Sequence, residues 1–380
     1  MISKREQQIL SPEISLEWLE LQETDQLESW DKFILNSPRG HYCQFSTWLR
    51  SFRVYGFDFR ILIAKTRDTN TIVGGIGLFS IGSRGFKIVT SPIGPILEIG
   101  YEKLATPLLD SVLQHCKQSG AILVQLQFPC SKDFRIPALL PTIDLPVGLS
   151  PRAGMMFQTG SAPNQMLLLE FPPCLPGDAW RDQMLKRFSA KTRRNIRLAE
   201  KHGVEVFEAR TEADLRQGYS LIERNGKEQG YATRDWKHFG QTLLEQVRKR
   251  QAVVLVARHE GQELGVHYAM LAGRRYSHIM GGTLRTERDL KVGHFLHWRA
   301  INKARELGMS AYDFTASGTL GVFKFKMGFR PTHVQFIGPQ YYVLSALRFE
   351  AFTRIYPVLR KHKQSVSYVL SAATRFLGDR

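Results

Sequence analysis

A chain of 380 residues is too long for one ordinary core and has the length of two domains. Its 43% hydrophobic and 23% charged residues give it a globular composition, which excludes disorder as the source of its net charge of +17. No run approaches the roughly 20 apolar residues that cross a bilayer, and Lys4, Arg5 and Glu6 stand where a signal peptide needs an apolar run, so a cytoplasmic location is expected.

The charge is unevenly placed. Residues 1–165 hold 16 Lys and Arg against 15 Asp and Glu, whereas residues 166–380 hold 36 against 20. A basic second half suggests a polyanionic partner, either RNA phosphates or an anionic membrane surface; a soluble surface that happens to be basic is the plainer alternative. Cys43, Cys116, Cys130 and Cys174 have no C-x-x-C spacing and no histidine at metal-finger distance, so they are expected as core thiols and no metal site is indicated.

In chain order, strands are expected over Arg60–Lys65, Ile72–Ile81 and Phe86–Thr90, a helix over Glu102–Gln118 and a buried strand over Ala121–Phe128. The Pro-, Gly- and Ser-rich stretch Pro137–Pro163 reads as a linker. A strand at Gln165–Phe171 follows, and then a helix with Asp178 as its N-cap and Trp180, Met184 and Phe188 at every fourth position. The order strand, strand, strand, helix, strand then recurs at Ala252–Arg258, Gly265–Ala272, Tyr276–Gly282, Asp289–Leu307 and Ala311–Phe314. The repeat implies an internal duplication of an α/β (α+β) lobe with a mixed, mostly antiparallel sheet and packed helices. The expected divisions are 14–165, 166–340 and a basic, amphipathic helical tail over 341–380.

Between Lys186 and Lys201 lie seven basic residues opposed only by Glu200. Arg193 and Arg197 are one helical turn apart, and Arg194, Arg197 and Lys201 share a face, so this stretch is a candidate phosphate-binding surface; a solvated helix face is the alternative. His267, His278, His294 and His297 show no metal-ligand spacing and are expected to be structural or surface residues.

Ser189-Ala190-Lys191-Thr192-Arg193-Arg194-Asn195-Ile196-Arg197 and its continuation to Gly203-Val204 resemble the S-x-K-x-R-x-N-I-R segment of the Fem-type (FemABX) peptidoglycan-bridge transferases. Tyr312-Asp313-Phe314 with Phe325-Lys326-Met327-Gly328-Phe329 resembles their Y-D-F and F-K-x-G-F pair. Gln44 to Trp48 and Ser91-Pro92-Ile93-Gly94-Pro95 are similar to their first-lobe landmarks. The resemblance implies two tandem GNAT-like (acetyltransferase-like) lobes. It also implies transfer of an amino acid from aminoacyl-tRNA to a lipid-linked or nucleotide-linked peptidoglycan precursor, with no other cofactor; peripheral contact with an anionic membrane is expected separately, from the apolar and basic residues interspersed between Leu344 and Leu377. Arg53 and Arg197 fall at positions for the precursor's diphosphate, with Arg193 and Phe325 in the same motifs, and Lys326 falls at a lysine close to the transfer centre. Thr315-Ala316 replaces the two glycines that usually follow Y-D-F, and the helical hairpin that serves some members as a tRNA-binding arm is absent.

Attack of an amine on an aminoacyl ester needs alignment, a proton acceptor and oxyanion stabilisation rather than a strong nucleophile. Lys326 is the candidate for the oxyanion or the tRNA terminus, against a plain lysine on a short helix. Asp313 is the candidate proton acceptor, against a cap for the next element. Two rivals remain: an acyl-CoA-dependent acetyltransferase, whose diphosphate-gripping loop is not matched by Arg288-Asp289 and the residues after them, and a non-catalytic RNA- or membrane-binding protein.

Overall fold

The computed structural model describes residues 13–20, 24–83, 85–131, 164–172, 176–316 and 318–361. The N-terminal stretch, the linker, Cys174 and the chain beyond Lys361 lie outside the described residues. Two units are present, Met1–Asn164 with Phe336–Arg380, and Gln165–Gln335.

The first unit runs β1 (Ile14–Trp18), α1 (Thr24–Asn36), α2 (Ser46–Arg50), β2 (Asp58–Thr66), β3 (Ile72–Ser83), β4 (Phe86–Ser91), β5 (Ile96–Leu97), α3 (Ala105–Gln118) and β6 (Ala121–Leu126). All six residues of β6 are buried, as expected of a parallel strand covered on both faces, and β6 pairs parallel with β4. On one face, Leu108, Leu109, Val112 and Cys116 of α3 join Leu62, Ala64, Ile76, Val89 and Val124 in a single apolar cluster. Each Leu, Ile and Val among them, fully buried, contributes roughly 1.5–3 kcal/mol. On the other face α1 and α2 approach β3 at its glycines: a Cβ on Gly75 would lie 2.7 Å from the Trp30 ring.

The first-lobe landmarks meet here as structure. The fully buried Gln44 accepts from Gly77 N–H at 2.5 Å and donates to Ser91 Oγ at 3.2 Å. One amide thus ties the Q-x-x-x-W segment to the S-P-I-G-P segment and satisfies a main-chain N–H whose strand partners lie elsewhere.

The second unit runs β7 (Gln165–Glu170), α4 (Gly177–Arg187), α5 (Ala190–Lys201), β8 (Glu205–Glu208), α6 (Glu212–Gln229), α7 (Trp236–Arg248), β9 (Ala252–His259), β10 (Gln262–Ala272), β11 (Arg275–Thr283), α8 (Val292–Glu306), β12 (Ala311–Asp313), α9 (Leu320–Met327) and β13 (Thr332–Gln335). Its sheet has the order β13-β7-β12-β11-β10-β9-β8. The duplication is visible: β2-β3-β4-α3-β6 and β9-β10-β11-α8-β12 have the same pairing, each with one parallel pair flanking the crossover helix. The fold is therefore the expected mixed α/β plan of two tandem lobes.

Three differences from expectation have physical reasons. The basic helix is two helices: Phe188 is extended, Ser189 caps α5 through Thr192 N–H, and Asp178 lies within the first turn of α4, whose cap is Pro176. Lys326 is buried at 3% exposure rather than a surface lysine. Finally, the described part of the expected tail, residues 341–361, does not stand apart. The chain re-enters the first unit at Phe336, adds β14 (Gln340–Val343) antiparallel to β6, and lays α10 (Ala346–Lys361) over Ile88, Ile122 and Leu123 through Phe352. An edge strand and a buried aromatic outweigh the basic residues that suggested a free amphipathic segment.

Candidate active site in the second unit

The site grows from one face of the second sheet. Strand β11 pairs with β12 over only three residues, Tyr276 facing Tyr312 and Ser277 facing Asp313, after which the two strands part. Between β10 and β11 the register slips at Tyr268/Ala269, so Ala269 faces His278 while His267 faces Gly281. Residues directly opposite share a face, and so His267, His278, Tyr276 and Tyr312 all point to the same side of the sheet, the side covered by α8. Gly281 makes this fit possible, because a Cβ there would lie 3.0 Å from His278 Nε2 and 2.8 Å from the Val266 carbonyl oxygen.

Tyr312 hydroxyl is 2.6 Å from His267 Nε2 and 2.7 Å from His297 Nδ1 of α8, and its ring stacks on Tyr276. Burial pushes the phenol of Tyr312 well up, takes His267 down to about 3 and holds His278 and His297 well below the usual histidine value, with Lys326 adding to the effect on all three imidazoles. The three rings are neutral at physiological pH. Phe314, Phe325 and Phe329 close around His297 at ring distances of 5.2, 5.4 and 5.7 Å.

At the end of β12, Asp313 Oδ1 accepts from Thr315 N–H at 2.8 Å and from Leu167 N–H at 3.2 Å. Burial raises its carboxyl, against the pull of these N–H groups, Arg275 and Lys326. Of the two roles open to Asp313, capping is the one these bonds describe. They hold Thr315 at φ +49, a conformation costly for a β-branched residue, at the position where the Fem pattern has glycine. Lys326 Nζ donates to Thr315 carbonyl oxygen at 2.9 Å, and burial brings its pKa down to about 8, with Asp313 opposing.

The two second-lobe motifs touch. Ser189 N–H donates to Gly328 carbonyl oxygen at 2.9 Å, and a Cβ on Gly328 would lie 2.5 Å from Thr192 Oγ1. Within α5 the cations divide by role. Arg193 donates to Phe188 and Lys186 carbonyl oxygens at 2.6 and 3.3 Å, closing the end of α4. Arg194, Arg197 and Lys201 are exposed, and none is paired with a carboxylate among the described residues. Phe325 is half-buried, edge-on to His294 at 4.7 Å. Arg53 belongs to the first unit, where it is 47% exposed, 3.7 Å from Asp58 Oδ1 and over the Phe59 ring. At the entrance of α8, Asp289 Oδ1 takes Lys291 N–H at 3.0 Å and its other oxygen pairs with Lys291 Nζ.

The histidine cluster had no sequence spacing to announce it: its members are 11 and 19 positions apart on two strands and a helix. The signal present was only that Tyr276 and His278 alternate on one face of β11; that His267 shares this face follows from the register slip.

Residues 186–327 match the acetyltransferase (GNAT) domain family. The crystal structure of FemX is similar over 89% of this chain and 100% of that one, with a TM-score of 0.71 at 17% identity. A conserved protein of unknown function from Bacteroides thetaiotaomicron VPI-5482 is similar over 86% of this chain and 98% of that one, with a TM-score of 0.52 at 12% identity. No curated protein matches by sequence. No described helix is long and apolar enough to cross a membrane. With two lobes of one pairing order and an acetyltransferase (GNAT) domain match in the second, the chain has the tandem GNAT-like fold seen in FemX.

Proposed function

We propose that this protein is an aminoacyltransferase that moves an amino acid from aminoacyl-tRNA to an amine of a lipid-linked or nucleotide-linked peptidoglycan precursor. The observation that carries the choice of donor is Asp289. An acyl-CoA enzyme of this fold grips the CoA diphosphate with free N–H groups at the start of the crossover helix. Here that start is occupied by a carboxylate that already takes Lys291 N–H, and it repels an incoming diphosphate. The exposed cations of α5 offer instead a surface for the phosphates of RNA or of the precursor.

In the reaction, the acceptor amine attacks the ester carbonyl, the bond to the tRNA ribose breaks, and the amine proton leaves to solvent or the departing ribose oxygen. Lys326, still mostly protonated at neutral pH, stabilises the developing oxyanion or holds the tRNA terminus. Asp313 positions Lys326 by holding the Thr315 turn. Arg197 and Arg53 bind phosphate, and contact with an anionic membrane gives access to a lipid-linked acceptor.

The test is incubation of the protein with a mixed pool of charged, labelled tRNA and lipid-linked precursor. Transfer of label to the precursor is expected. Tight, stoichiometric binding of acetyl-CoA by calorimetry, with no transfer from charged tRNA, overturns the reading in favour of an acyl-CoA enzyme.

A further inference from the structure

One nitrogen from each of His267, His278 and His297 lies within 4.8 Å of the other two. The rings are 4.5, 5.1 and 4.9 Å apart between centroids. Nδ1 of His278 is enclosed and has no hydrogen-bond partner among the described residues, and Nδ1 of His267, also enclosed, has beside it only its own main chain. Such an enclosed, unsatisfied nitrogen costs about 1–3 kcal/mol, so the cluster asks for a partner. Tyr312 hydroxyl engages the opposite edge of His267 through Nε2, and also His297 through Nδ1, while the Phe314 main chain bonds His278.

We propose that His267, His278 and His297 form a three-histidine site for a divalent transition-metal ion of the zinc type. A ligating imidazole characteristically bonds a second group through its other nitrogen, which fixes tautomer and ring orientation, and Tyr312 and Phe314 supply that partner. Tetrahedral zinc at about 2.0–2.1 Å from each nitrogen holds its ligands roughly 3.4 Å apart, so small side-chain rotations close the cluster on an ion. Three neutral nitrogens with no thiolate select zinc, cobalt, nickel or copper over magnesium or calcium. The fourth position is left for water. The nearby Lys326 ammonium opposes a cation, which sets the affinity below that of a closed thiolate site. The bulge that turns His278 toward His267 thereby acquires a purpose beyond packing. The inference stands independently of the aminoacyl donor.

The test uses the full-length, tag-free protein freed of metal by chelator and titrated with cobalt(II) and then zinc(II). One equivalent of cobalt with the visible bands of four-coordinate nitrogen ligation is expected, displaced stoichiometrically by zinc. His278→Gln and His297→Gln should each weaken binding by at least about 10-fold, the lower end of what losing even an orienting partner costs. His294→Gln, whose ring lies outside the triad against Asn195, should bind as the parent does. Tyr312→Phe removes only a hydroxyl and serves if a histidine variant fails to fold; it should weaken binding while leaving one equivalent. Absence of the cobalt bands in the parent protein, or binding unchanged in every folded triad and Tyr312 variant, overturns the proposal.

Discussion

Lys326 Nζ donates a 2.9 Å hydrogen bond to the carbonyl oxygen of Thr315, a residue that Asp313 holds in a left-handed turn from the other side. A buried ammonium is thus fixed by one carbonyl at the end of the parallel strand pair, and its charge is only weakly favoured, with a pKa down at about 8.

Lys326→Met should separate stability from catalysis. The native lysine binds its proton less tightly than in the unfolded chain. The unfolded state therefore carries more protons between about pH 8 and 10.5, and stability rises with pH across that window. Below pH 8 the full cost is present, on the order of 3 kcal/mol. The Met variant should therefore be more stable than the parent at pH 7 and should lack the gain on going to pH 10. Its kcat should fall on the order of 10²-fold, since charge that develops in the transition state loses its partner. Denaturant melts at both pH values and steady-state assays read the two effects. A variant with normal kcat removes Lys326 from the transfer step.

Thr315→Gly should leave the protein no less stable, with a gain below about 1 kcal/mol. Glycine removes the Cβ strain at φ +49 but gives the unfolded chain more freedom, and the two effects nearly cancel. At an ordinary position the same change costs about 1 kcal/mol. Thermal melts decide, and a loss larger than that shows that the Thr315 side chain holds the turn.

Arg193→Ala and Arg197→Ala, four residues apart, should fail differently. Arg193 closes α4, so its loss should cost about 1–2 kcal/mol of stability. Arg197 is exposed, so its removal should leave the melt unchanged and raise KM for a phosphate-bearing substrate. Arg53→Ala should follow Arg197. Equal melts for all three variants contradict the capping role of Arg193.

Deleting residues 340–380 should destabilise the first unit rather than simply free a membrane anchor. It strips β14 from the edge of β6 and Phe352 from its apolar cluster. Membrane contact is therefore better tested by neutralising Arg354, which is 78% exposed, and comparing binding to anionic vesicles.

The strand-helix-strand repeat was legible because short buried strands and one amphipathic crossover helix carry strong periodicity, as in β6 and α3. What escaped was what depends on distant chain. Strand β14 has no pattern of its own until β6 is beside it. The break at Phe188 has one local signal, the Ser189 cap of α5, and is closed by Arg193 and Gly328 from beyond it, where neither proline nor glycine marks it. The histidine cluster needs a register slip that no spacing rule encodes. Lys326 was named from its motif, whereas its burial follows from a turn that Asp313 makes.

Gly328→Ala should be the most damaging of the small substitutions. Gly328 is the glycine of the Phe325–Phe329 motif and lies where the end of α9 meets the start of α5. A Cβ there would stand 2.5 Å from Thr192 Oγ1 and 3.0 Å from Phe325 carbonyl oxygen. Thr192 is buried and its hydroxyl bonds Ser189 Oγ, so it has little room to yield. The clash must instead push α9 away from α5, stretching the Ser189 N–H bond to Gly328 carbonyl oxygen. Overpacking of this kind costs about 1–3 kcal/mol. Because Lys326 is two residues away on the same helix, the displacement should also lower kcat, where a 1 Å misplacement costs on the order of 10²-fold. Thr192→Ser retains the hydroxyl and so the contact, whereas Thr192→Ala removes the clashing oxygen. Combined with Gly328→Ala, Thr192→Ala should recover part of both losses and Thr192→Ser neither. Equal recovery by the two double variants refutes the proposed contact.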